Sequence, residues 1–232
     1  MLYVFGDSFT YGYTLPDRSK CWAENLGKKW DLEVINVAYP GGSNWRIGRE
    51  IQNLNITSKD IVIIGWTISN RFEFGKNPHS DLFKNPEFII EENKDKYPFA
   101  NNENSDVQSF FDQIIDRVSD TRLQAFSEVA YNALYNEEWF DEMFRIMYWA
   151  TRYYLEKRDI KWLMFDTWCS TVDSRWRKDL NHLNYKYCGK NNINNVLKKT
   201  YKGIHHESGY WNEKGHQKVS DLLLLEYSNI YG

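Results

Sequence analysis

The sequence predicts an α/β protein built on a parallel sheet that helices cover on both faces. Four short runs are apolar throughout rather than alternating with polar residues, which is typical of strands buried on both faces. Stretches with helical spacing lie between them at 19–30 and 45–54, and parallel strands need such crossovers. The four predicted strands are 2–5, 32–37, 60–66 and 161–166.

The chain between the third and fourth predicted strands departs from this alternation. Residues 75–106 are rich in Asn, Pro, Lys and acidic side chains, which predicts a long surface loop. Helical spacing at 107–157 predicts two or three helices, and the last of them carries an apolar set of Met143, Ile146, Met147 and Ala150. Residues 75–157 are therefore expected to form a loop plus a helical insertion within a single domain, 1–232.

The composition excludes several classes of protein. Hydrophobic residues make up 42% and charged residues 26%, as in globular domains, and no apolar run reaches the ~18–20 residues of a membrane-spanning helix. The first nine residues lack the basic flank of a signal peptide, so we expect a cytoplasmic location. The net charge of −3 argues against a nucleic-acid binder.

The cysteine and aromatic contents bear on the kind of site. Cys21, Cys169 and Cys188 are widely spaced and form no C-x-x-C pair, which excludes a disulfide framework and a cysteine-rich zinc site. Aromatic residues reach 17%, which indicates either a core filled with rings or a surface that contacts sugars or proteins. No Gly-rich phosphate loop follows the first strand, and we predict no cofactor.

The tripeptide Gly6-Asp7-Ser8 directly follows the first predicted strand. In open α/β sheets the chemistry takes place beyond the carboxyl ends of the strands. A serine in such a turn has an exposed hydroxyl and nearby free backbone N–H groups, which suit a nucleophile whose attack creates an oxyanion. The alternative is a serine that only caps the turn.

Three later segments complete an ordered set with this tripeptide. Asn36 begins N-V-A-Y-P-G-G-S-N after the second strand, Gly65-Trp66-Thr67 ends the third, and N-E-K-G-H opens the predicted C-terminal helix at Asn212. This set resembles the SGNH (GDSL) hydrolase family of esterases, lipases and acyl-sugar deacetylases. The resemblance covers about the first seventy and last thirty residues and implies a flavodoxin-like three-layer α/β/α sandwich.

The resemblance also implies roles for single residues. Ser8 would be the nucleophile, and its own N–H and that of Gly41 would donate hydrogen bonds to the oxyanion. The family places an Asn where this chain has Thr67, whose hydroxyl is the expected third donor. Asn44, Trp66, Arg71 and Tyr210 are expected to bind substrate, although Trp66 and Arg71 also suit a packed ring and a surface cation. The segment GWTISNR resembles a W-T-x-x-x-R variant of phage-encoded members, a hint of viral origin.

The catalytic base is where this chain departs from the family pattern. Aligned on W-N-E-K-G-H, the family's catalytic His falls on Tyr210, and a phenol with a pKa of about 10 is no base near neutrality. Three alternatives remain open: His206 acts as the base with Glu207 or another acid orienting it, His216 reaches the site, or the base is lost. His205 and His206 are adjacent and no third ligand is evident, so we predict no metal site. His79 and His182 are expected to be solvated.

The sequence thus supports two hypotheses from different classes. The first is a serine ester hydrolase acting on a small-molecule or carbohydrate ester through Ser8, a Ser8/Gly41/Thr67 oxyanion hole and a histidine from the C-terminal loop. The second is a catalytically degenerate protein of the same fold that serves in binding or in a virion. The intact first two motifs favour the enzyme, whereas Tyr210 and the missing Asn favour its rival.

Overall fold

A computed structural model describes residues 1–40, 42–68, 137–167, 187 and 191–232. The chain divides into two units. The first comprises 1–71, 136–206 and 210–232 and contains every element named below. The second comprises 72–135 and 207–209, of which the structure describes only Glu207–Gly209. The predicted loop at 75–106, most of the predicted helical insertion, Cys169, Cys188, His79 and His182 lie outside the described residues. The single-domain arrangement stays a prediction.

The described elements alternate between strands and helices. In chain order they are β1 (Leu2–Phe5), α1 (Ser8–Tyr11), a 3₁₀ turn (Arg18–Lys20), α2 (Trp22–Trp30), β2 (Val34–Asn36), α3 (Asn44–Asn53), β3 (Ile61–Trp66), α4 (Glu137–Lys157), β4 (Lys161–Asp166), α5 (Ile193–Thr200) and α6 (Glu213–Tyr231). All four predicted strands and the C-terminal helix are confirmed, with β2 shorter than predicted.

The four strands form one parallel sheet in the order β2-β1-β3-β4. The central strand β1 pairs with β3 from Leu2 opposite Ile61 to Phe5 opposite Ile64. The half-buried β2 lies at one edge, whereas β1 and nearly all of β3 and β4 are buried on both faces. Parallel strands bring their carboxyl ends to one edge of the sheet, so the segments after β1, β3 and β4 meet there.

Two apolar clusters cover the faces of the sheet. Leu2 and Val4 of β1 point to a cluster that includes α2, α5 and α6, whereas Tyr3 and Phe5 point to one that includes α3 and α4. This separation follows from the period of two along a strand. The result is a three-layer α/β/α sandwich, as predicted.

The buried face of α4 differs from the predicted one. Met147 is buried, but Ile146 is 52% exposed and Ala150 is exposed as well. The helix instead buries Phe144 and Tyr148, whose larger rings cover more of the sheet than the predicted aliphatic set would. Trp139 and Trp149 stay almost half exposed, so the described rings serve both the core and the surface.

Candidate active site

Ser8 lies at the carboxyl end of β1, where the chain turns into α1. Asp7 caps this helix, because its Oδ1 accepts a hydrogen bond of 3.0 Å from the Phe9 N–H. Gly12 ends the helix one turn later with a φ of 78°, a conformation that favours glycine. No side chain among the described residues hydrogen-bonds to the Ser8 hydroxyl, although the residue is only 4% exposed. The serine hydroxyl is thus uncommitted at the functional edge of the sheet.

The second oxygen of Asp7 joins the ends of three strands. Its Oδ2 accepts a hydrogen bond of 3.0 Å from the hydroxyl of Thr67, which follows β3. It also lies 3.3 Å from the hydroxyl of Thr167, which follows β4 and donates to the Trp66 carbonyl at 2.9 Å. All three side chains are buried. Asp7 therefore has the structural role of fixing the turn that carries Ser8.

This network changes the role predicted for Thr67. A hydroxyl has one proton, and that of Thr67 is donated to Asp7. The side chain cannot also donate to an oxyanion without giving up this buried bond. Here Thr67 fixes Asp7, and the geometry does not support it as the third donor of an oxyanion hole.

Asn44, predicted to bind substrate, forms two hydrogen bonds to the backbone of Thr67. Its Oδ1 accepts from the Thr67 N–H at 3.0 Å, and its Nδ2 donates to the Thr67 carbonyl at 3.1 Å. The residue is the first of α3, follows the capping Ser43, and is 3% exposed. Its amide is thus held rigidly beside the end of β3.

Trp66, also predicted to bind substrate, lies in the core instead. Its ring is fully buried and packs edge-on against Phe144 of α4, with centroids 5.4 Å apart, and beside Tyr148 at 6.4 Å. The strand alternation directs this side chain to the α3/α4 face rather than beyond the strand end. Of the two alternatives for Trp66, the packed ring is correct.

Tyr210, aligned from the sequence with the family's histidine, packs against the residue next to Ser8. Its ring centroid lies 4.9 Å from that of Phe9 and 5.5 Å from that of Tyr13, and the residue is 8% exposed. The backbone brings this residue back towards His206, whose N–H donates to the Tyr210 carbonyl at 2.8 Å. Tyr210 thus lies beside Phe9, the residue that follows Ser8.

The two adjacent histidines have different environments. His205 Nε2 and Trp211 Nε1 both lie within 2.9 Å of Asn194 Oδ1. The indole can only donate, so this Asn atom is the oxygen and His205 must donate to it through Nε2–H. Burial, with Lys198 adding to it, lowers the pKa of His205 to about 4. His206 is exposed, and no described side chain hydrogen-bonds to its ring.

His216 is fixed inside the sandwich. Its Nδ1 accepts a hydrogen bond of 3.1 Å from the Trp22 N–H, and its ring lies edge-on to Trp211 with centroids 5.6 Å apart. The side chain is 2% exposed, and burial, with His206 adding to it, lowers the pKa of His216 to about 3. This geometry favours a packing role for His216 over that of a catalytic base.

The remaining predicted site residues, Gly41 and Arg71, lie outside the described residues.

Within the described ranges, no group of three or more His, Cys, Asp or Glu side chains is arranged to hold a metal ion. No helix in the described part of the chain is long and apolar enough to cross a membrane. A cavity of about 330 Å³ is lined by Tyr11, Arg18, Ser19, Cys21, Glu24 and Asn36, and none of the residues described above as parts of the site lines it.

Two features of the site were not predicted from the sequence: the presence of Thr167, and the pairing of the Asn44 side chain with the Thr67 backbone. Thr167 follows directly after a predicted strand, so its place at the functional edge could have been recognised from that signal alone. The pairing of Asn44 with the Thr67 backbone had no such signal, because it depends on how α3 meets β3 in space.

Comparison with solved structures identifies the fold. A protein assigned to the lipolytic G-D-S-L family from Desulfitobacterium hafniense superposes with a TM-score of 0.53 at 15% identity, over 97% of this chain and 98% of that one. The chain has the SGNH hydrolase fold. TesA matches at a TM-score of 0.48 and 12% identity, over 97% of this chain and 96% of that chain. The psychrotrophic esterase EstA from Pseudoalteromonas matches at 0.38 and 12%, over 98% and 96%.

By sequence alone, no family model and no curated protein matches the chain. The SGNH fold is thus recognised from the structure and from short motifs. Gly6-Asp7-Ser8 reproduces the first three letters of the G-D-S-L name, and Phe9 stands where the fourth would be Leu.

Proposed function

We propose that this protein is a serine ester hydrolase with Ser8 as its nucleophile. The observation that carries the proposal is the uncommitted Ser8 hydroxyl at the carboxyl edge of the sheet, in a turn fixed by the buried Asp7 carboxylate. The carboxylate is hydrogen-bonded on both oxygens, to the Phe9 N–H and to the Thr67 hydroxyl, which ties the Ser8 turn to the end of β3. The G-D-S-L proteins of the same fold support the assignment.

The proposed reaction has two steps. Ser8 Oγ attacks the ester carbonyl, a base removes the hydroxyl proton, and the same base then returns that proton to the departing alcohol. Water hydrolyses the resulting acyl-enzyme. The Ser8 N–H stands at the first position of α1, where a helix has no internal partner for it, and donates to the oxyanion. Gly41 is the proposed second donor, as the family resemblance implies.

His206 is the proposed base. It is exposed, its ring has no described partner, and its backbone pairs with Tyr210, which in turn packs on Phe9 beside the nucleophile. His216 is less suited, because its Nδ1, the nitrogen that accepts a proton, already accepts from the Trp22 N–H. His205 is less suited because its Nε2–H is held by Asn194 and burial lowers its pKa to about 4. The proposed substrate class is a small-molecule or carbohydrate ester, as the resemblance to the family of esterases and acyl-sugar deacetylases implies.

Labelling with a fluorophosphonate tests this proposal. We expect the wild type to react, Ser8→Ala to be unreactive, and His206→Ala to react at least about 100-fold more slowly, as expected for loss of a general base. His205→Ala is the matched control, since it removes the neighbouring ring, and it is expected to label like the wild type. Equal labelling of His206→Ala and His205→Ala would contradict the role of His206.

The rival function is a binding protein of the same fold without catalysis. The observation that favours it is Tyr210 at the family's histidine position, with its ring packed on Phe9 and Tyr13. If this rival is correct, folded wild type does not react with the probe, whereas Tyr210→His gains reactivity because it restores a base beside Ser8. If the hydrolase proposal is correct, the wild type reacts without that substitution.

A further inference from the structure

At the end of β3, a side chain forms the hydrogen bonds that a neighbouring strand would otherwise form. The N–H of Ile61 donates to the Met1 carbonyl beside β1, and the N–H of Thr167 donates to the Trp66 carbonyl from the β4 side. Backbone groups of successive strand residues point to opposite neighbours. The N–H and carbonyl of Thr67, one residue after Trp66, therefore point to the β1 side.

On that side β1 has already ended. Extending the register that pairs Phe5 with Ile64 would place Ser8 opposite Thr67. A continued strand would offer the Asp7 carbonyl and the Phe9 N–H to the backbone of Thr67. Both groups are used elsewhere, because the Asp7 carbonyl accepts from the Tyr11 N–H and the Phe9 N–H donates to Asp7 Oδ1.

The amide of Asn44 takes the place of the missing strand. It supplies both the acceptor and the donor that the two peptide units flanking Ser8 would have supplied in a continued strand, at 3.0 and 3.1 Å. Adjacent strands lie about 4.8 Å apart, so the amide is held within one strand spacing of the β3 end, at the register level where the chain turns to Ser8. Its burial, with 3% exposure, makes this placement rigid.

One N–H of this amide has no partner among the described residues. A primary amide has two N–H bonds in one plane, about 120° apart, and only one of them can reach the Thr67 carbonyl. Thr67 cannot act as a donor in its place, since its hydroxyl proton is bound to Asp7. The second N–H of Asn44 is thus available at the register position of Ser8. The donor expected there from Thr67 is missing.

We propose that Asn44 Nδ2 is the third oxyanion donor of this site, in place of the Asn that the family has at position 67. The inference rests on the proposed function, because an oxyanion forms only if Ser8 attacks a carbonyl or phosphoryl group. Its ligand is the carbonyl oxygen of the ester, which gains negative charge in the tetrahedral intermediate and returns to a neutral carbonyl when the alcohol leaves. Asn44 exchanges no proton in either step.

The test compares Asn44→Ala with Asn192→Ala, which also removes a buried asparagine, one that caps α5 and lies outside the site. Loss of one oxyanion donor lowers kcat by about 100- to 1000-fold in well-studied hydrolases, and we expect a loss of that size for Asn44→Ala with 4-nitrophenyl acetate. Asn192→Ala is expected to keep the wild-type rate. Thermal unfolding of each variant shows that the protein assayed is folded.

A thionoester substrate distinguishes two roles of Asn44: donating to the oxyanion, and only holding the Thr67 backbone in place. Sulfur accepts hydrogen bonds poorly, so the wild type should hydrolyse the thionoester of 4-nitrophenyl acetate far more slowly than the oxoester. Asn44→Ala should lose part of this discrimination, because the proposed Ser8 and Gly41 donors remain, whereas Thr67→Val should retain all of it. Equal discrimination in Asn44→Ala and the wild type overturns the assignment of Asn44 alone. A folded wild type that neither hydrolyses the oxoester nor reacts with a fluorophosphonate overturns the hydrolase proposal, and the Asn44 assignment with it.

Discussion

The buried imidazole of His216 makes the stability of this protein depend on pH. Its Nδ1 accepts the Trp22 N–H, and burial lowers the pKa of His216 to about 3, whereas an unfolded histidine has a pKa of about 6.5. Between these values the unfolded state binds a proton that the folded state does not. The free energy of unfolding therefore decreases as the pH falls below 6.5.

The size of this effect follows from proton linkage. From pH 7 to pH 5 the folded ring stays neutral while the unfolded ring becomes charged, so the loss depends mainly on the unfolded pKa. Integrating the linkage relation over this range gives a loss of about 2 kcal/mol from His216. His205, whose pKa is lowered to about 4, acts in the same direction but is only half-buried.

Urea denaturation at pH 7 and pH 5 measures this contribution against His216→Asn. The Asn Oδ1 stands close to the place of Nδ1, so it can still accept from Trp22, but it does not titrate. The variant keeps the contribution of His205, and its stability should decrease by about 2 kcal/mol less than that of the wild type. Equal losses in the two proteins would refute a neutral, buried His216.

Two further substitutions test the frame around the site. Gly6→Ala would place a Cβ 2.2 Å from Thr10 Oγ1 and 2.6 Å from the Thr10 Cβ. We therefore expect urea denaturation to show that the free energy of unfolding falls by about 1–3 kcal/mol. Unchanged stability would mean that α1 packs less closely on β1. Asn212→Ala removes the acceptor for the Gly215 N–H at 3.1 Å and should cost about 1 kcal/mol. Asn212→Asp keeps that acceptor but loses the Nδ2 donor to the Gly203 carbonyl at 2.9 Å, so it should recover only part of the loss, and an equal cost for both variants would contradict the capping role.

The sheet could be predicted because its signals are local. Continuous apolar runs separated by helical spacing indicate buried parallel strands, and all four such runs are strands. The buried face of α4 could not be predicted in the same way. Six of the nine positions from Phe140 to Tyr148 are apolar or aromatic, and they lie on more than one face of the helix, so the periodicity leaves its orientation open until it packs on the sheet.

The site was predictable in position but not in its hydrogen bonds. The order of the motifs places Ser8 and Thr67 at one edge of the sheet, because both follow buried parallel strands. The acceptor to which the Thr67 hydroxyl donates its proton depends on the distance between the strand ends. The packing of Trp66 likewise depends on whether its side chain faces the α3/α4 layer or the edge, and the sequence alone supported both.

The most direct test of the central claim is to trap the acyl-enzyme. Wild-type protein mixed with 4-nitrophenyl acetate and quenched with acid within milliseconds to seconds is digested and analysed by mass spectrometry. We expect one added acetyl group on the peptide that contains Ser8, with none in Ser8→Ala. A folded wild type without acetylation of that peptide, while the ester is nevertheless hydrolysed, would show that Ser8 is not the nucleophile.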